Sequence, residues 1–176
     1  MAVQQRISLG VVLGSGVHEH VGFEKLADLG LVCVVRKDHP WANKSSIEIE
    51  ELANTSYIAH SRHLPVGTVT AQAIEAAGHT WNPNIEVMQF SGACALTDAG
   101  CGPAVLDSLT GVYAERLGLV PIRLRVDSKL SLNLVWPLSK GLSPAARFVA
   151  AEIRRTVAQA LHSNAAPEAS QEQTLT

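Results

Sequence analysis

Residues 29–35 form an apolar run in which Leu, Val and Cys follow one another without alternating polar residues. A strand with one face in water alternates apolar and polar side chains, whereas a strand covered on both faces has no need to. The run therefore predicts a buried strand in a sheet that is covered on both faces. Asp38, His39 and Pro40 follow it and predict where the strand ends.

Strand and helix patterns alternate along the rest of the chain. Further strands are predicted at residues 6–13, 57–60, 85–88, 103–106, 120–123 and 130–136. Helices are predicted up to residue 52, at 67–77, 92–99 and 109–116, and from Ser143 onward. Because strands alternate with helices, the pattern favours an α/β fold with a largely parallel sheet.

Several helix ends carry sequence signals. Ser45 and Glu48 have the spacing of a capping box, and Ser91 is a plausible N-cap for the helix at 92–99. Gly78 and Gly100 are expected to end the helices before them.

The last helix is predicted to begin with Ser143 as its N-cap and Pro144 as its first helical residue. Its buried face is predicted from a four-residue spacing of Val149, Ile153, Val157 and Leu161, with Arg147, Arg154 and Arg155 on the solvated side. Residues 164–176 are small and polar, which predicts a disordered tail.

Composition limits the classes of function. The formal net charge is -2 and the pI is near 6.4, so the chain offers no basic patch for nucleic acid. No segment approaches the roughly 20 apolar residues of a membrane span, and residues 1–13 lack the continuous apolar core of a secretory signal. The chain has three cysteines, Cys33, Cys94 and Cys101, so they cannot all pair in disulfides within the chain. The simplest interpretation is that they are reduced thiols in the core of a cytoplasmic protein.

Motifs for catalysis, cofactors or metals are weak. Gly14-Ser15-Gly16 follows a strand, but Glu19 stands where a dinucleotide loop has its third glycine. His18 and His20 have no third ligand at metal spacing, and there is no GxSxG elbow or P-loop. The sequence thus supports neither an enzyme nor a cofactor, and an exposed loop is expected at residues 14–20.

Four stretches in order resemble the effector domain of LysR-type transcription regulators. They are residues 31–42, residues 47–58, residues 91–106 and residues 142–148. Each motif is weak alone, but together they span most of residues 6–157. The sequences at Ala93-Cys94 and at residues 104–108 also resemble those of regulators of opine and amino-acid catabolism.

The resemblance implies two α/β lobes like those of periplasmic binding proteins. It places the remainder of lobe one at residues 1–56 and 123–163 and lobe two at residues 57–122, so that two chain crossings form a hinge. The strand at residues 7–13 matches a late strand of lobe one, with Ser8 where Asp is usual. The first lobe would then be incomplete, and the winged helix-turn-helix would be missing.

Effector contacts are expected in loops that follow strands and near helix N-termini, where ligands of open α/β sheets bind. The candidates are Gly14, Ser15, Ser61, Arg62, His63, Gln89, Phe90, Ser91 and Asp107. Each has a structural alternative: Ser91 can simply cap its helix, Arg62 can be a solvent-facing loop residue, and Phe90 can pack in the core. His60 and His63 can be neutral hydrogen-bonding groups or exposed.

The leading hypothesis from the sequence is a cytoplasmic small-molecule sensor of a transcription regulator. Its effector is expected to be a carboxylate or an amino-acid derivative, held by Ser91, the free amides beside it and Arg62. The chain is expected to form homo-oligomers, to need no cofactor, to contact no membrane, and to reach DNA only through the missing N-terminal domain. The alternatives are a free-standing solute-binding protein of a transport system and an α/β enzyme.

Overall fold

The computed structural model describes residues 8–14, 19–139 and 141–165 of the 176-residue chain. The described chain divides into two compact units, and it passes from one to the other twice. The first unit holds the residues up to Ala27 and from Ser131 onward, and the second holds Asp28–Leu130. The predicted boundaries at residues 56 and 122 differ from these.

The second unit is built on a six-stranded sheet. Its strands, in spatial order, are β4 (Ser46–Glu48), β8 (Val120–Arg125), β3 (Leu31–Val35), β7 (Ala104–Asp107), β5 (Ile58–His60) and β6 (Ile85–Val87). Because β3 pairs with both β7 and β8, residues 31–35 belong to this sheet and not to the first unit.

The direction of the strands is largely parallel, as the alternating pattern predicted. β4 runs parallel to β8, and β5 runs parallel to β6 and β7. The exception is β3, which is antiparallel to both of its neighbours. All five of its residues are buried, so the apolar run correctly predicted burial on both faces but carried no information on direction.

Four helices accompany this sheet: α1 (Ile49–Ala53), α2 (Pro65–Ala76), α3 (Phe90–Asp98) and α4 (Ser108–Arg116). Ala93 and Cys94 of α3 and Ala114 of α4 pack on buried strand residues such as Val32 and Leu106. Burial of these apolar side chains supplies the main stabilisation of the unit. Gly78 and Gly100 follow α2 and α3 with positive φ angles of 81° and 83°, as expected of residues that end helices.

Two predicted helix starts were wrong. Helix α1 begins after Glu48, whose amide donates to Glu51 Oε1 at 3.3 Å, three residues beyond the predicted cap Ser45. Helix α3 has Gln89 as its N-cap, so Ser91 lies within the first turn and does not cap it. Residues 46–48 form strand β4, so α1 cannot begin at Ser45. Helix α3 begins two residues earlier than predicted, at Phe90, and has no side-chain cap hydrogen bond.

The first unit contains a three-stranded sheet and one long helix. The order is β1 (Gly10–Leu13), β9 (Leu130–Pro137) and β2 (Val21–Leu29), with α5 (Pro144–Ala165) beside it. The first strand was predicted from residue 6, but residues 1–7 lie outside the described part. Arg154 of α5 makes two hydrogen bonds to the Glu24 carboxylate on β2, of 2.7 and 2.8 Å.

Helix α5 starts as predicted, because Ser143 Oγ accepts from the Ala146 amide at 3.1 Å. Its buried face differs in one position from the predicted four-residue spacing. Val149 is 48% exposed, whereas Ala146 and Ala150 are buried together with Val157. Because a helix has 3.6 residues per turn, side chains spaced by four residues move gradually around the helix and do not stay on one face. Ala146 and Ala150, and not Val149, therefore lie on the buried face at the start of α5. The helix also continues through residues 164 and 165, where disorder was expected; residues 166–176 lie outside the described part.

Cys33 and Cys94 are buried, whereas Cys101 is exposed, which the prediction of core thiols did not anticipate. Burial raises the pKa of the Cys33 thiol, so it is an inert core side chain. Within the described residues, no helix has both the length and the apolar composition required to cross a membrane.

Candidate functional site

The carboxyl ends of β4, β5, β6, β7 and β8 lie along one edge of the second unit, because these five strands run in the same direction. We call this edge the carboxyl edge. Ligands of open α/β sheets bind outside such an edge. Candidate residues follow β5 and β6 at this edge, and one candidate is the last residue of β7: they are Ser61, Arg62, His63, Gln89, Phe90, Ser91 and Asp107.

At the end of β6, the chain turns directly into α3. Gln89 is the N-cap, in an extended conformation, and Phe90 and Ser91 are the first two helical residues. Gln89, Phe90 and Ser91 are exposed. The first amides of a helix have no partner within it and carry partial positive charge. The start of α3 therefore presents amides and the Ser91 hydroxyl to an anion from solvent.

Phe90 is not a core residue, contrary to the simpler of its two interpretations. It is 46% exposed and meets Tyr113 of α4 edge-to-face, with ring centroids 6.1 Å apart. Both rings line an open cavity of about 430 Å³ together with Ser91, Leu109 and Thr110. The hydroxyls of Ser91 and Thr110 thus lie beside an apolar wall at the starts of two neighbouring helices.

Asp107 ends β7 and is the N-cap of α4. Its carboxylate accepts from the Thr110 amide at 2.9 Å and from Thr110 Oγ1 at 2.6 Å, and the residue is only 6% exposed. A side-chain cap of this kind contributes about 1 kcal/mol to stability. Asp107 therefore stabilises the start of α4 at the carboxyl edge.

His60, the last residue of β5, was not among the predicted contacts. It is 9% exposed, and its Nε2 has no hydrogen-bond partner among the described residues. Burial lowers the pKa of His60 below its usual range, and the charge of Asp107 partly offsets this. A buried polar atom without a partner at a ligand-binding edge is the signal that sequence reasoning lacked, because burial is invisible in the sequence.

Arg62 lies in the loop between β5 and α2 and is already paired. Its Nη2 is 2.8 Å from Glu75 Oε1 on α2, and both side chains are about half exposed. Exposed pairs of this kind contribute little to stability. The guanidinium could therefore exchange Glu75 for a ligand carboxylate at small cost.

The remaining candidates are less informative. His63 is exposed next to Arg62. Gly14 belongs to the first unit, where its amide donates to Ser131 O at 2.8 Å and its carbonyl accepts from Asn133 Nδ2 at 2.7 Å. Ser15 lies outside the described residues, as does His18.

Stability should depend on pH through His60. A buried neutral histidine whose pKa is lowered in the folded state binds its proton more readily when unfolded. We therefore expect the free energy of unfolding to fall as the pH is lowered from about 7 toward 5, and expect His60→Asn to reduce that fall. Denaturant titrations at several pH values measure the free energy of unfolding and its pH dependence in both proteins. Gln89→Asn is the control, because Gln89 is exposed at the same edge and does not titrate, so this variant should leave the pH dependence unchanged. An equal effect of both variants would contradict the role of burial at His60.

Comparison with known proteins identifies the fold and family of such a chain. The family model described as the LysR substrate binding domain matches residues 2–158. The transcriptional activator protein LysR of Escherichia coli K12 is 28% identical over 138 residues, which cover 77% of this chain and 44% of that protein. The chain spans about half the length of the curated relatives it matches.

Two solved structures have the same fold. The CcmR regulatory domain of Synechocystis PCC6803, in complex with 2-PG, is 19% identical with a TM-score of 0.69, and the likeness covers 86% of this chain and 74% of that one. The effector binding domain of QuiR, in complex with shikimate, is 17% identical with a TM-score of 0.64, covering 85% and 72%. These likenesses confirm the predicted α/β fold of periplasmic-binding-protein type.

Proposed function

This chain belongs to the LysR substrate-binding domain family, and on that premise we propose that it binds a small carboxylate as the effector of a transcription regulator. Sequence-specific DNA binding would belong to a separate part of such a regulator. This chain has a formal net charge of -2 and lacks the excess of basic residues that binding to DNA phosphates needs. The family consists of regulators and not of enzymes, so the effector would be bound and released without chemical change.

The start of α3 is the observation that carries the proposal. Its first amides and the Ser91 hydroxyl are exposed at the carboxyl edge, and a helix N-terminus of this kind favours an anion. Arg62 lies in the loop after β5 at the same edge and can supply a charge-assisted hydrogen bond. The proposed contacts of the second unit are Ser91, Arg62, His63, Gln89 and Phe90, with Ser61 and Asp107 beside them.

Relatives support this ligand class without fixing its identity. Shikimate, bound by QuiR, is a carboxylate on a compact ring. The aromatic wall of Phe90 and Tyr113 would suit such a body, while the helix start takes its charge. An amino-acid derivative, suggested by the resemblance to opine and amino-acid regulators, remains a prediction, as does a contribution from Gly14 and Ser15.

Substitutions at the proposed anchor should weaken carboxylate binding. Ser91→Ala and Arg62→Ala should each cost about 1.5–3 kcal/mol, because each removes a hydrogen bond to a charged group. Calorimetric titration with shikimate, succinate and glutamate measures the change in affinity. Arg116→Ala is a suitable control, since Arg116 is exposed on the last turn of α4 in the same unit. Unchanged affinity in both anchor variants would leave Ser91 and Arg62 without a role in binding.

We also propose that the chain self-associates. The resemblance implies pairing through the helix predicted at residues 67–77, which the structure shows as α2. The described surface also exposes apolar side chains of the first unit, which favour association; they are Val11, Val12, Phe23, Leu138, Phe148 and Val149. Sedimentation velocity should show a concentration-dependent dimer. A clean monomer at high protein concentration would contradict the proposal.

A further inference from the structure

An uncharged cavity lies between the first turns of α3 and α4 at the carboxyl edge. Phe90 and Ser91 are the first two residues of α3, and Leu109, Thr110 and Tyr113 lie in α4. These five residues line the cavity, which has a volume of about 430 Å³ and is open to solvent. None of them carries a formal charge, so the lining is apolar apart from its hydroxyl groups.

One side of α4 supplies most of the cavity wall. Leu109, Thr110 and Tyr113 are spaced by three and four residues, which places them on the same side of a helix. The opposite side of α4 packs on the sheet, where Gly111 is buried. A Cβ at Gly111 would lie 2.9 Å from Val32 Cγ2, so α4 approaches β3 as closely as the glycine allows. Packing therefore holds the backbone of Tyr113 in place before any ligand binds.

Phe90 and Tyr113 form an aromatic wall on this cavity. Their rings meet edge-to-face with centroids 6.1 Å apart, yet each residue remains 46% exposed. Aromatic side chains contribute to stability and binding mainly by burial, and each of these leaves nearly half of its surface in water. A ligand ring in the cavity would cover this surface and add a stacked or edge-to-face contact. A short aliphatic acid such as acetate would leave most of it exposed.

The two helix starts at this cavity differ in how their first amides are satisfied. At the start of α4, the Asp107 carboxylate accepts from the Thr110 amide and hydroxyl. The N-cap of α3, Gln89, makes no side-chain capping hydrogen bond, and Ser91 in its first turn is exposed. Helix α4 thus carries its own anion, whereas α3 leaves its amides to an anion from outside the chain. The carboxylate of a ligand is therefore expected at the α3 end of the cavity.

An amino group on the ligand would find no acidic partner here. No acidic residue is among the described residues that line the cavity. Asp107 lies beside it, but this residue is only 6% exposed, and both of its carboxylate oxygens already accept from Thr110. An ammonium group next to the ligand carboxylate would lie near the start of α3, which carries partial positive charge. It would lose part of its hydration without gaining a carboxylate in return.

We propose that this cavity selects a carboxylate that carries a ring and has no amino group, and that Phe90 and Tyr113 determine this specificity. The inference rests on the proposed function, because the carboxylate is held at the start of α3 as proposed there. The ring packs on the side chains of Phe90, Leu109 and Tyr113, while the carboxylate accepts from the Ser91 hydroxyl and the first amides of α3. Tyr113 contacts only the ring and Ser91 only the charge, so each contact can be removed without the other.

NMR titration of the full chain with 3-phenylpropanoate, L-phenylalanine and acetate tests this specificity, with affinities taken from the amide signals of Ser91 and Tyr113. 3-Phenylpropanoate should bind at least about tenfold more tightly than acetate, which lacks the ring, and than L-phenylalanine, which adds only the ammonium group. If acetate binds equally well, the ring contact is wrong but the carboxylate site stands. Equal binding of L-phenylalanine would overturn the exclusion of an amino group. If no carboxylate binds, the proposed function fails and this inference fails with it.

Tyr113→Ala separates the ring contact from the charge contact. It should weaken binding of 3-phenylpropanoate about tenfold and leave the affinity for acetate unchanged, whereas Tyr113→Phe keeps the ring and should retain most of the affinity for 3-phenylpropanoate. Ser91→Ala should weaken both acids. Leu117→Ala is the matched control, because Leu117 is 48% exposed, close to the 46% of Tyr113, and follows α4 without lining the cavity. Undiminished binding of 3-phenylpropanoate by Tyr113→Ala would contradict the proposal.

Discussion

Truncation of Leu106 to alanine is expected to lower the free energy of unfolding by about 2–5 kcal/mol. Leu106 is fully buried in β7 and packs in the core between the sheet and helices α3 and α4. The loss combines the transfer free energy of the removed atoms with the cavity left behind, because dense packing prevents the neighbours from closing it. Against a total stability of about 5–15 kcal/mol, such a loss removes a large fraction of the stability of the chain.

Denaturant unfolding followed by circular dichroism measures this effect. Leu117→Ala is the control, since Leu117 is 48% exposed just after α4 and should change stability by about 0.5 kcal/mol or less. Similar losses in the two variants would show that Leu106 is not in the core.

Replacement of Gly67 by alanine is expected to destabilise the chain by roughly 3 kcal/mol. A Cβ at this position would lie 2.2 Å from the Ser61 carbonyl oxygen and 2.4 Å from that of His60. Both contacts are with backbone, so α2 must move away from the end of β5. The loop at residues 61–64 would move with it, and carboxylate binding at Arg62 should weaken as well.

Gly92→Ala is a closely matched control. Gly67 is the third residue of α2 and Gly92 is the third residue of α3, but a Cβ at Gly92 meets nothing within 4 Å. Alanine is the better helix former, so this variant should be neutral or more stable by up to about 1 kcal/mol. If Gly67→Ala behaved in the same way, the close approach of α2 to β5 would be wrong.

The sequence predicted most of the helices and strands because periodicity and end signals are local, but it did not predict β2 or β4. Residues 31–35, the helix ends at Gly78 and Gly100, and the start of α5 at Ser143 all depend on neighbours in the chain. The direction of β3 could not be predicted, since it is fixed by pairing with β7 and β8, which lie far along the sequence.

Site prediction had the same limit. The positions of Gln89, Phe90 and Ser91 at a strand-to-helix turn could be read from the pattern. The cap could not, because Gln89 makes no side-chain capping hydrogen bond and Ser91 is the residue type that usually caps a helix. The pairing of Arg62 with Glu75 and the buried Nε2 of His60 arise from tertiary packing.

We propose that the start of α3 holds the carboxylate of an effector. The most direct test is NMR titration of the full chain with acetate, succinate and benzoate, each compared with its uncharged amide. We expect at least one carboxylate to shift the amide signals of Ser91, Gly92 and Ala93 saturably, and its uncharged amide to leave them unchanged. Ser91→Ala should weaken the response. Carboxylates that leave these signals unchanged, or amides that shift them equally, would contradict it.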